Sequence, residues 1–496
     1  MRKIGFDNDQ YVRLQSERIR QRINKFGGKL YLEFGGKLFD DFHASRVLPG
    51  FRPDSKIRML MEMKAESEVI VAISADDIER NKRRGDLGIT YDMEALRLID
   101  AFRACGLYVG GVCITHCREQ DTVSQFQKRL EALNVPVYRH YIIPDYPANL
   151  PLIVSPDGFG KSDFIETTRP LVVVTAPGPG SGKMATCLSQ LYHHHQRGER
   201  AGYAKFETFP IWNLPLNHPV NIAYEAATVD LDDANIIDPF HLDAYGETTV
   251  NYNRDVEIFP VLKAMLERIQ GVSPYNSPTD MGVNMAGFAI VDDDACRDAS
   301  CREIVRRYFH SAEDCKRSGA GEQELHKIEL LMSRVGISAD VLPARKACLE
   351  KEEATGGPSG AIELPNGTVV TGKNGPLLGA ASSALLNALK KLAGIDHEID
   401  LVSARAIEPI QTLKTNYLGS RNPRLHTDEI LIALSSSAAE NETAAVALQQ
   451  LSKLKGCDMH STVILSSVDT DTIKRLGMYL TCEPAYEQED RKYHKK

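Results

Sequence analysis

The stretch Leu171-Val-Val-Val-Thr-Ala-Pro-Gly-Pro-Gly-Ser-Gly-Lys-Met-Ala-Thr186 joins an apolar run to a glycine-rich loop and then to a helical pattern. The apolar run is typical of a buried strand, and the residues from Met184 to Arg197 predict a helix. Gly178, Gly180 and Gly182 let backbone N–H groups converge on an anion, while a helix N-terminus adds unpaired donors and partial positive charge. The stretch therefore predicts a strand–loop–helix unit that binds a phosphate group.

The predicted ligand contacts come from the loop backbone and from a few side chains. Lys183 ends the loop, where its ammonium reaches bridging or terminal phosphates and neutralises charge on a transferred phosphoryl group. The expected ligand is ATP or another phosphorylated small molecule. The predicted contact residues are Gly178, Gly180, Ser181, Gly182, Lys183 and Thr186.

The loop departs from the Walker A pattern in two ways. Only three residues separate Gly178 from Gly182, and Met184 stands where a magnesium-binding Ser or Thr is expected. The hydroxyls of Thr175 and Thr186 are the candidates to replace it. The alternative interpretation is a tight strand-to-helix turn whose glycines serve packing.

The next predicted strand ends beside this loop. In Gly202-Tyr-Ala-Lys-Phe-Glu207, alternation puts Lys205 and Glu207 on the same side. Because parallel strands end at one edge of a sheet, both side chains should lie near the phosphate. Lys183, Lys205 and His241 are the predicted catalytic residues, with His241 as acid or base. Carboxylates are expected to hold Mg²⁺, and the predicted ligands are Glu207, Asp230, Asp232 and Asp238.

The remaining pattern predicts an α/β fold with Rossmann-like parallel sheets flanked by helices, since short apolar strands alternate with longer helical segments. Three domains are predicted: a Rossmann-like domain over 1–165, a P-loop-like phosphate-binding domain with a long polar loop over 166–325, and a C-terminal α/β domain over 326–496. The polar loop is expected from 207 to 253. In the last domain Asn366-Gly367 predicts a hairpin, and extended segments are expected at 399–402 and 461–465.

Composition narrows the class of protein. The chain has 496 residues, a net charge of −8, 43% hydrophobic and 25% charged residues, which are globular proportions without the basic excess of a nucleic-acid binder. No apolar run is long enough for a membrane span. A cytoplasmic protein without membrane or nucleic-acid partners is expected. Cys113, His116 and Cys117 carry only a weak zinc signal, and reduced cysteines are the simpler interpretation.

Two resemblances add to this reading. The loop with Lys183, followed by a strand with Lys205, resembles the nucleotide-binding fold of dethiobiotin synthetase and CTP synthase, which implies that both lysines bind phosphates. This resemblance covers about forty residues. Over the whole chain, runs such as Phe206-Glu-Thr-Phe-Pro-Ile-Trp-Asn213 and Ser277-Pro-Thr-Asp-Met-Gly-Val-Asn284 resemble a bacterial protein family of unknown function. That resemblance implies no established activity.

The residues favour a nucleotide-dependent enzyme of ligase or kinase type that acts on a small metabolite. The alternative is a non-catalytic regulatory or assembly protein that binds a nucleotide or phosphorylated metabolite as a signal. A homo-oligomer is expected, since long soluble enzymes often form symmetric assemblies.

Overall fold

The computed structural model describes residues 3–84, 87–118 and 121–487. The chain divides into two compact units. The N-terminal unit comprises Ile4–Tyr224 and Asp232–Cys296, and the C-terminal unit comprises Glu225–Leu231 together with the chain from Arg297 onward. Within the described ranges no helix combines the length and the apolarity that crossing a membrane requires.

The N-terminal unit is built on a parallel sheet of seven strands in the order β4-β3-β2-β5-β1-β6-β9. Strands β7 and β8 form a separate antiparallel pair. The core strands are almost entirely buried, which explains their continuous apolar sequences. The strands in chain order are β1 (Leu30–Phe34), β2 (Ser67–Ser74), β3 (Tyr108–Cys117), β4 (Val137–Tyr141), β5 (Leu171–Thr175), β6 (Gly202–Phe206), β7 (Asn235–Ile237), β8 (Val250–Tyr252) and β9 (Gly282–Val283).

Helices connect these strands, as a parallel sheet requires. In chain order they are α1 (Asn8–Lys25), α2 (Phe42–Val47), α3 (Ser55–Glu62), α4 (Ala75–Glu79), α5 (Tyr91–Ala104), α6 (Asp121–Ala132), α7 (Leu150–Ile153), α8 (Lys183–Gln196), α9 (Pro219–Ala227), α10 (Pro239–Tyr245), α11 (Asn253–Gln270) and α12 (Pro278–Met281). The predicted class, α/β with a parallel sheet flanked by helices, is confirmed for this unit.

The domain boundary predicted at 165/166 falls within a single sheet. Strands β1 to β4 precede that boundary and β5, β6 and β9 follow it, yet all seven belong to one sheet. The reason is that β5 lies between β2 and β1, so residues before and after 165 share a single core. Strand order depends on contacts between distant segments, and the local sequence pattern from which the boundary was predicted carries no information about those contacts.

The tract expected as a long polar loop contains regular structure. Helices α9 and α10 and strands β7 and β8 all lie between residues 207 and 253. These elements are only three to nine residues long, too short to show a clear hydrophobic period. Asp238 begins α10 by accepting hydrogen bonds from the N–H groups of Phe240 and His241, a local cap signal in the sequence.

The C-terminal unit contains a four-stranded mixed sheet in the order β11-β10-β12-β13. Its strands are β10 (Ser359–Glu363), β11 (Val369–Lys373), β12 (Asp458–Ser461) and β13 (Tyr479–Cys482). The helices from residue 293 onward are α13 (Asp293–Ser318), α14 (Glu322–Val335), α15 (Pro343–Thr355), α16 (Ala380–Ala393), α17 (Ala404–Thr412), α18 (Thr427–Ser437), α19 (Glu442–Leu448) and α20 (Ser467–Arg475).

One C-terminal prediction is confirmed and two need correction. The hairpin at Asn366-Gly367 joins antiparallel β10 and β11, and Gly367 has a φ of 84°. The segment 399–402 contains no strand, and the strand expected at 461–465 lies instead at Asp458–Ser461. The shift places Met459 in the apolar core of this unit, on the side that faces the helices.

Candidate functional site

The glycine loop lies at the centre of the sheet's carboxyl edge. It follows β5, whose neighbours are β2 and β1. The connection after β2 leads to β3 on one side of this point, whereas the connection after β5 leads to β6 on the other. Ligands of open α/β sheets bind in the crevice where successive connections part in this way. The loop predicted to bind phosphate therefore occupies the topological switch point.

The backbone conformation or the close packing of the loop requires glycine at each of its three glycine positions. Gly180 and Gly182 have left-handed φ values of 73° and 77°, which cost a non-glycine residue about 1–2 kcal/mol. A Cβ at Gly182 would also lie 2.9 Å from Thr115 Cγ2, and one at Gly178 would collide with the Tyr91 hydroxyl. The loop is consequently packed against the ends of β3 and α5, while Gly180 faces open space.

The loop hydroxyls hold the loop together. Ser181 Oγ donates to the Gly178 carbonyl at 2.8 Å, and Thr186 Oγ1 donates to the Gly182 carbonyl at 3.0 Å. Thr115 Oγ1 on β3 donates to the Ser181 carbonyl at 2.8 Å. Ser181 and Thr186 are buried. Their predicted roles as ligand contacts would thus require the hydroxyls to leave these internal partners, whereas the loop backbone has no such constraint.

The helix that follows the loop begins without a side-chain cap. Gly182 is the N-cap of α8, and among the described residues no side chain accepts from the first-turn N–H groups of this helix. A 14-residue helix carries partial positive charge at this end. Lys183 is the first helical residue and is half-buried. The N-terminal end of α8 and the ammonium of Lys183 together make the electrostatic potential at the switch point positive.

A charged cluster lies at the carboxyl ends of β1 and β6, and we define it as Glu33, Lys205, Glu207 and Asp255. Lys205 Nζ donates to Asp255 Oδ2 and lies 3.3 Å from Glu207 Oε1. Glu33 is the register partner of Lys205 on the neighbouring strand, and it accepts a 2.7 Å hydrogen bond from the Tyr203 hydroxyl. Three carboxylates therefore surround one ammonium, and the charge of Lys205 is already compensated.

The pKa values in this cluster follow from its burial and charge. Burial and the nearby Asp255 raise the pKa of Glu207 to about 8, although Lys205 opposes the shift. Burial alone would lower the pKa of Lys205, but Asp255, Glu207 and Glu33 raise it. The cluster thus keeps Lys205 charged and holds an additional proton on Glu207 near neutral pH, which suits a carboxyl that exchanges a proton with a reactant.

Glu33 of the charged cluster and Lys183 of the loop both change the pKa of one buried thiol, that of Cys187. Burial and Glu33 raise the pKa of Cys187 on α8, whereas Lys183 lowers it. Strand β1, which carries Glu33, lies directly between β5 and β6. The uncapped N-terminal end of α8 and the charged cluster consequently occupy neighbouring positions on one edge of the sheet.

The four predicted magnesium ligands have separate environments. Asp238 is fully buried and also accepts from Thr279 Oγ1 at 2.6 Å, while Asp230 and Asp232 are exposed and belong to different units. In the part of the chain that the structure describes, no three His, Cys, Asp or Glu side chains form a group that could hold a metal ion. Of the four, Glu207 is the one that belongs to the charged cluster.

The predicted acid or base His241 lies on α10. Its Nδ1 is 2.8 Å from Ser277 Oγ, and its Nε2 is 4.0 Å from a Glu247 carboxylate oxygen. Ser277 is also the N-cap of α12, since it accepts from the Asp280 N–H. His241 therefore contributes to the packing of α10 with α12.

Sequence reasoning missed Glu33 and Asp255 as partners of Lys205. A signal existed for Glu33, because it is the only charged residue in β1, and charges in buried strands need partners. Asp255 is fifty residues from Lys205 in the chain, so only the fold brings them together.

Comparison with known proteins identifies the family. Residues 4–336 match the family described as domain of unknown function DUF1846, N-terminal, and residues 340–492 match its C-terminal counterpart. A UPF0371 protein of Corynebacterium aurimucosum is 58% identical, and one of Streptococcus pneumoniae serotype 19F is 56% identical, each over 100% of both chains. The predicted resemblance to a bacterial family of unknown function is thereby confirmed: this chain belongs to the DUF1846 (UPF0371) family.

Proposed function

We propose that the protein binds a nucleotide or another phosphorylated small molecule at the glycine loop and acts as a nucleotide-dependent ligase- or kinase-type enzyme on a small metabolite. The observation that carries this proposal is the uncapped N-terminus of α8 at the switch point, with Lys183 beside it. Phosphate groups bind at such helix ends because backbone N–H groups and the helix dipole favour negative charge.

The division of roles follows the local chemistry. The loop backbone and Lys183 hold the phosphates, and Lys183 neutralises charge at the transferred phosphoryl group. Glu207 accepts the proton of the nucleophile in its ionised form, which its raised pKa makes the minor form near neutral pH, and Lys205 positions that carboxylate through their ion pair. Magnesium, when bound with the nucleotide, needs only one or two carboxylates because phosphates and water complete its coordination.

A second candidate function is nucleotide or phosphometabolite binding without turnover. It is favoured by Met184, which replaces the hydroxyl residue after the loop lysine, and by the internal hydrogen bonds of Ser181 and Thr186. Without a free hydroxyl next to Lys183, magnesium-assisted hydrolysis loses one of its usual ligands.

A thermal-shift screen tests the proposal. Wild-type protein is measured with nucleotides and phosphorylated metabolites, with and without Mg²⁺. A ligand at about 100 times its Kd stabilises the folded state by about 2.7 kcal/mol. Lys183→Ala should lose this shift, whereas Lys128→Ala, an exposed lysine of α6, should retain it.

The outcomes separate the candidates. A shift that Lys183→Ala abolishes, followed by slow consumption of ATP with a metabolite mixture, supports the enzyme. The same shift without consumption supports the binding protein. If no phosphorylated compound shifts the wild type, or if Lys183→Ala responds like the wild type, phosphate binding at this loop is wrong.

A further inference from the structure

The C-terminal unit contains a cavity beside the edge of its sheet. The edge strand is β11, and a cavity of about 530 Å³ lies between this strand, α16 and the segment that follows the helix. All of its lining residues lie between positions 368 and 397, within the C-terminal unit. Small-molecule sites in proteins have volumes of about 300–1,000 Å³. This cavity is therefore large enough for a small ligand.

The backbone of β11 offers hydrogen-bonding groups at this edge. The Leu364 N–H donates to the Thr368 carbonyl at 2.9 Å, and hydrogen-bonded positions alternate along an antiparallel strand. Val369 and Thr371 therefore turn their backbone groups away from β10. The Asn387 amide on α16 agrees with this, because it donates to the Thr371 carbonyl at 3.0 Å. An added strand would have to displace that amide, so the edge suits a compact ligand better than a long peptide.

Apolar side chains form one wall of the cavity, which we define as Val370 on β11 and Ile395 after α16. Both are half-buried, and both pack against the apolar core of this unit. A Cβ at Gly372 would collide with the backbone of Ala384, so α16 lies close against β11 and holds the apolar wall in place. Aliphatic atoms bind favourably against such a wall because apolar surface leaves water.

Charged side chains of both signs line the same cavity. Lys391 in the last turn of α16 and Asp396 beyond its C-cap are both exposed. Asp396 Oδ1 accepts from the Glu398 N–H at 3.0 Å, which fixes the turn that carries it. Lys390 is buried, and its Nζ donates to the His397 carbonyl at 2.9 Å, which ties this turn to α16. Lys391 and Asp396 consequently provide one cationic and one anionic contact.

We propose that this cavity binds an α-amino acid with an aliphatic side chain, with its carboxylate on Lys391, its ammonium on Asp396 and its side chain against the apolar wall. Charge complementarity selects this ligand class. A zwitterion satisfies both charged contacts at once, whereas a simple acid or amine satisfies only one of them. The site goes beyond the proposed function and does not depend on the ligand of the glycine loop.

Isothermal titration calorimetry with three compounds tests the ligand class. The wild type should bind L-leucine saturably. It should bind 4-methylpentanoate, which lacks the ammonium, and 3-methylbutylamine, which lacks the carboxylate, about tenfold more weakly, equivalent to about 1.4 kcal/mol for each lost contact. Equal affinity for leucine and either analogue would overturn the zwitterion assignment. The absence of saturable binding of leucine, isoleucine and valine would overturn the site itself.

Variants of the two charged residues test the contacts separately. Lys391→Met should weaken leucine binding about tenfold and leave the affinity for 3-methylbutylamine unchanged. Asp396→Asn keeps an oxygen for the Glu398 N–H, and it should weaken leucine binding about tenfold while 4-methylpentanoate binds as before. Lys346→Met, at an exposed lysine of α15 outside the cavity, is the matched control and should bind leucine like the wild type. All three substitutions lie at the surface, so the unfolding midpoint should not change.

The crossed pattern of these affinities decides the outcome. If Lys391→Met or Asp396→Asn binds leucine as tightly as the wild type, or if each variant weakens all three compounds equally, the two assigned contacts are wrong. Lys183→Ala should keep its full affinity for leucine. Loss of leucine binding in that variant would assign leucine to the glycine loop and overturn the inference.

Discussion

Glu33 on β1 and Lys205 on β6 are register partners in the parallel sheet, and their side chains meet in one charged cluster with Glu207 and Asp255. A lysine that sequence alone assigns to phosphate is therefore already paired with carboxylates. Lys183 is left as the cation of the loop, and the cluster beside it supplies proton-exchanging groups. The edge of the sheet thus carries two separate charged regions, the uncapped helix end with Lys183 and the carboxylate cluster around Lys205.

Two glycines of the loop should respond differently to alanine. Gly180 and Gly182 both have left-handed φ values, but a Cβ at Gly180 meets nothing within 4 Å, whereas one at Gly182 meets Thr115. Gly180→Ala should cost about 1–2 kcal/mol of unfolding free energy. Gly182→Ala should lower the unfolding free energy further, because the new methyl group also clashes with Thr115. Urea denaturation measures both, and equal losses would show that Thr115 does not restrict the loop.

Glu207→Gln should change the pH dependence of stability. Glutamate ionises near 4.5 in the unfolded chain, but in the folded chain burial raises the pKa of Glu207 to about 8. Between these values the folded state binds more protons, so this carboxyl lowers wild-type stability as pH rises, by at most about 1.4 kcal/mol per pH unit for one proton. The neutral amide has no proton to lose, and the variant should gain stability relative to the wild type from about pH 5 to about pH 8.

Melting temperatures of both proteins across that range check this prediction. Glu257→Gln, on α11, serves as the surface comparison and should follow the wild type at every pH. A constant difference between Glu207→Gln and the wild type would mean that Glu207 ionises normally in the folded protein.

Arg306 should be important for the stability of the C-terminal unit. Its guanidinium on α13 binds both oxygens of Asp458 on β12, at 2.6 and 2.9 Å, and it also contacts Glu303 at 3.2 Å. All three side chains are buried. Arg306→Ala leaves Asp458 with only its 3.4 Å contact to Arg302 and Glu303 with only its 3.1 Å contact to Arg307, and this loss of buried charge pairing should cost about 3 kcal/mol.

A surface ion pair on the same helix provides the comparison. Arg317 pairs with Glu313 and is 42% exposed, so Arg317→Ala should cost less than about 1 kcal/mol. Chemical denaturation of the full chain measures both variants. Similar losses for the two arginines would contradict the assignment of the Arg306 pair as a buried stabilising contact.

Local sequence patterns predicted much of the secondary structure. Strands β5 and β6 and helix α8 lie within a residue or two of their predicted positions. They were predictable because buried strands show continuous apolar runs and longer helices show their period within one segment. The short elements α10 and β7 were missed because a few residues do not establish a period.

The chain's own sequence determined the α/β class, the strand–loop–helix unit at Lys183 and the hairpin at Asn366-Gly367, since each depends on residues adjacent in the chain. Only the tertiary structure decided that β5 lies between β2 and β1, that Lys205 is paired with Glu33 and Asp255, and that His140 is buried beside α8. These relationships join segments tens to more than a hundred residues apart. Their energy comes from burial and charge compensation between distant segments, which no local pattern encodes.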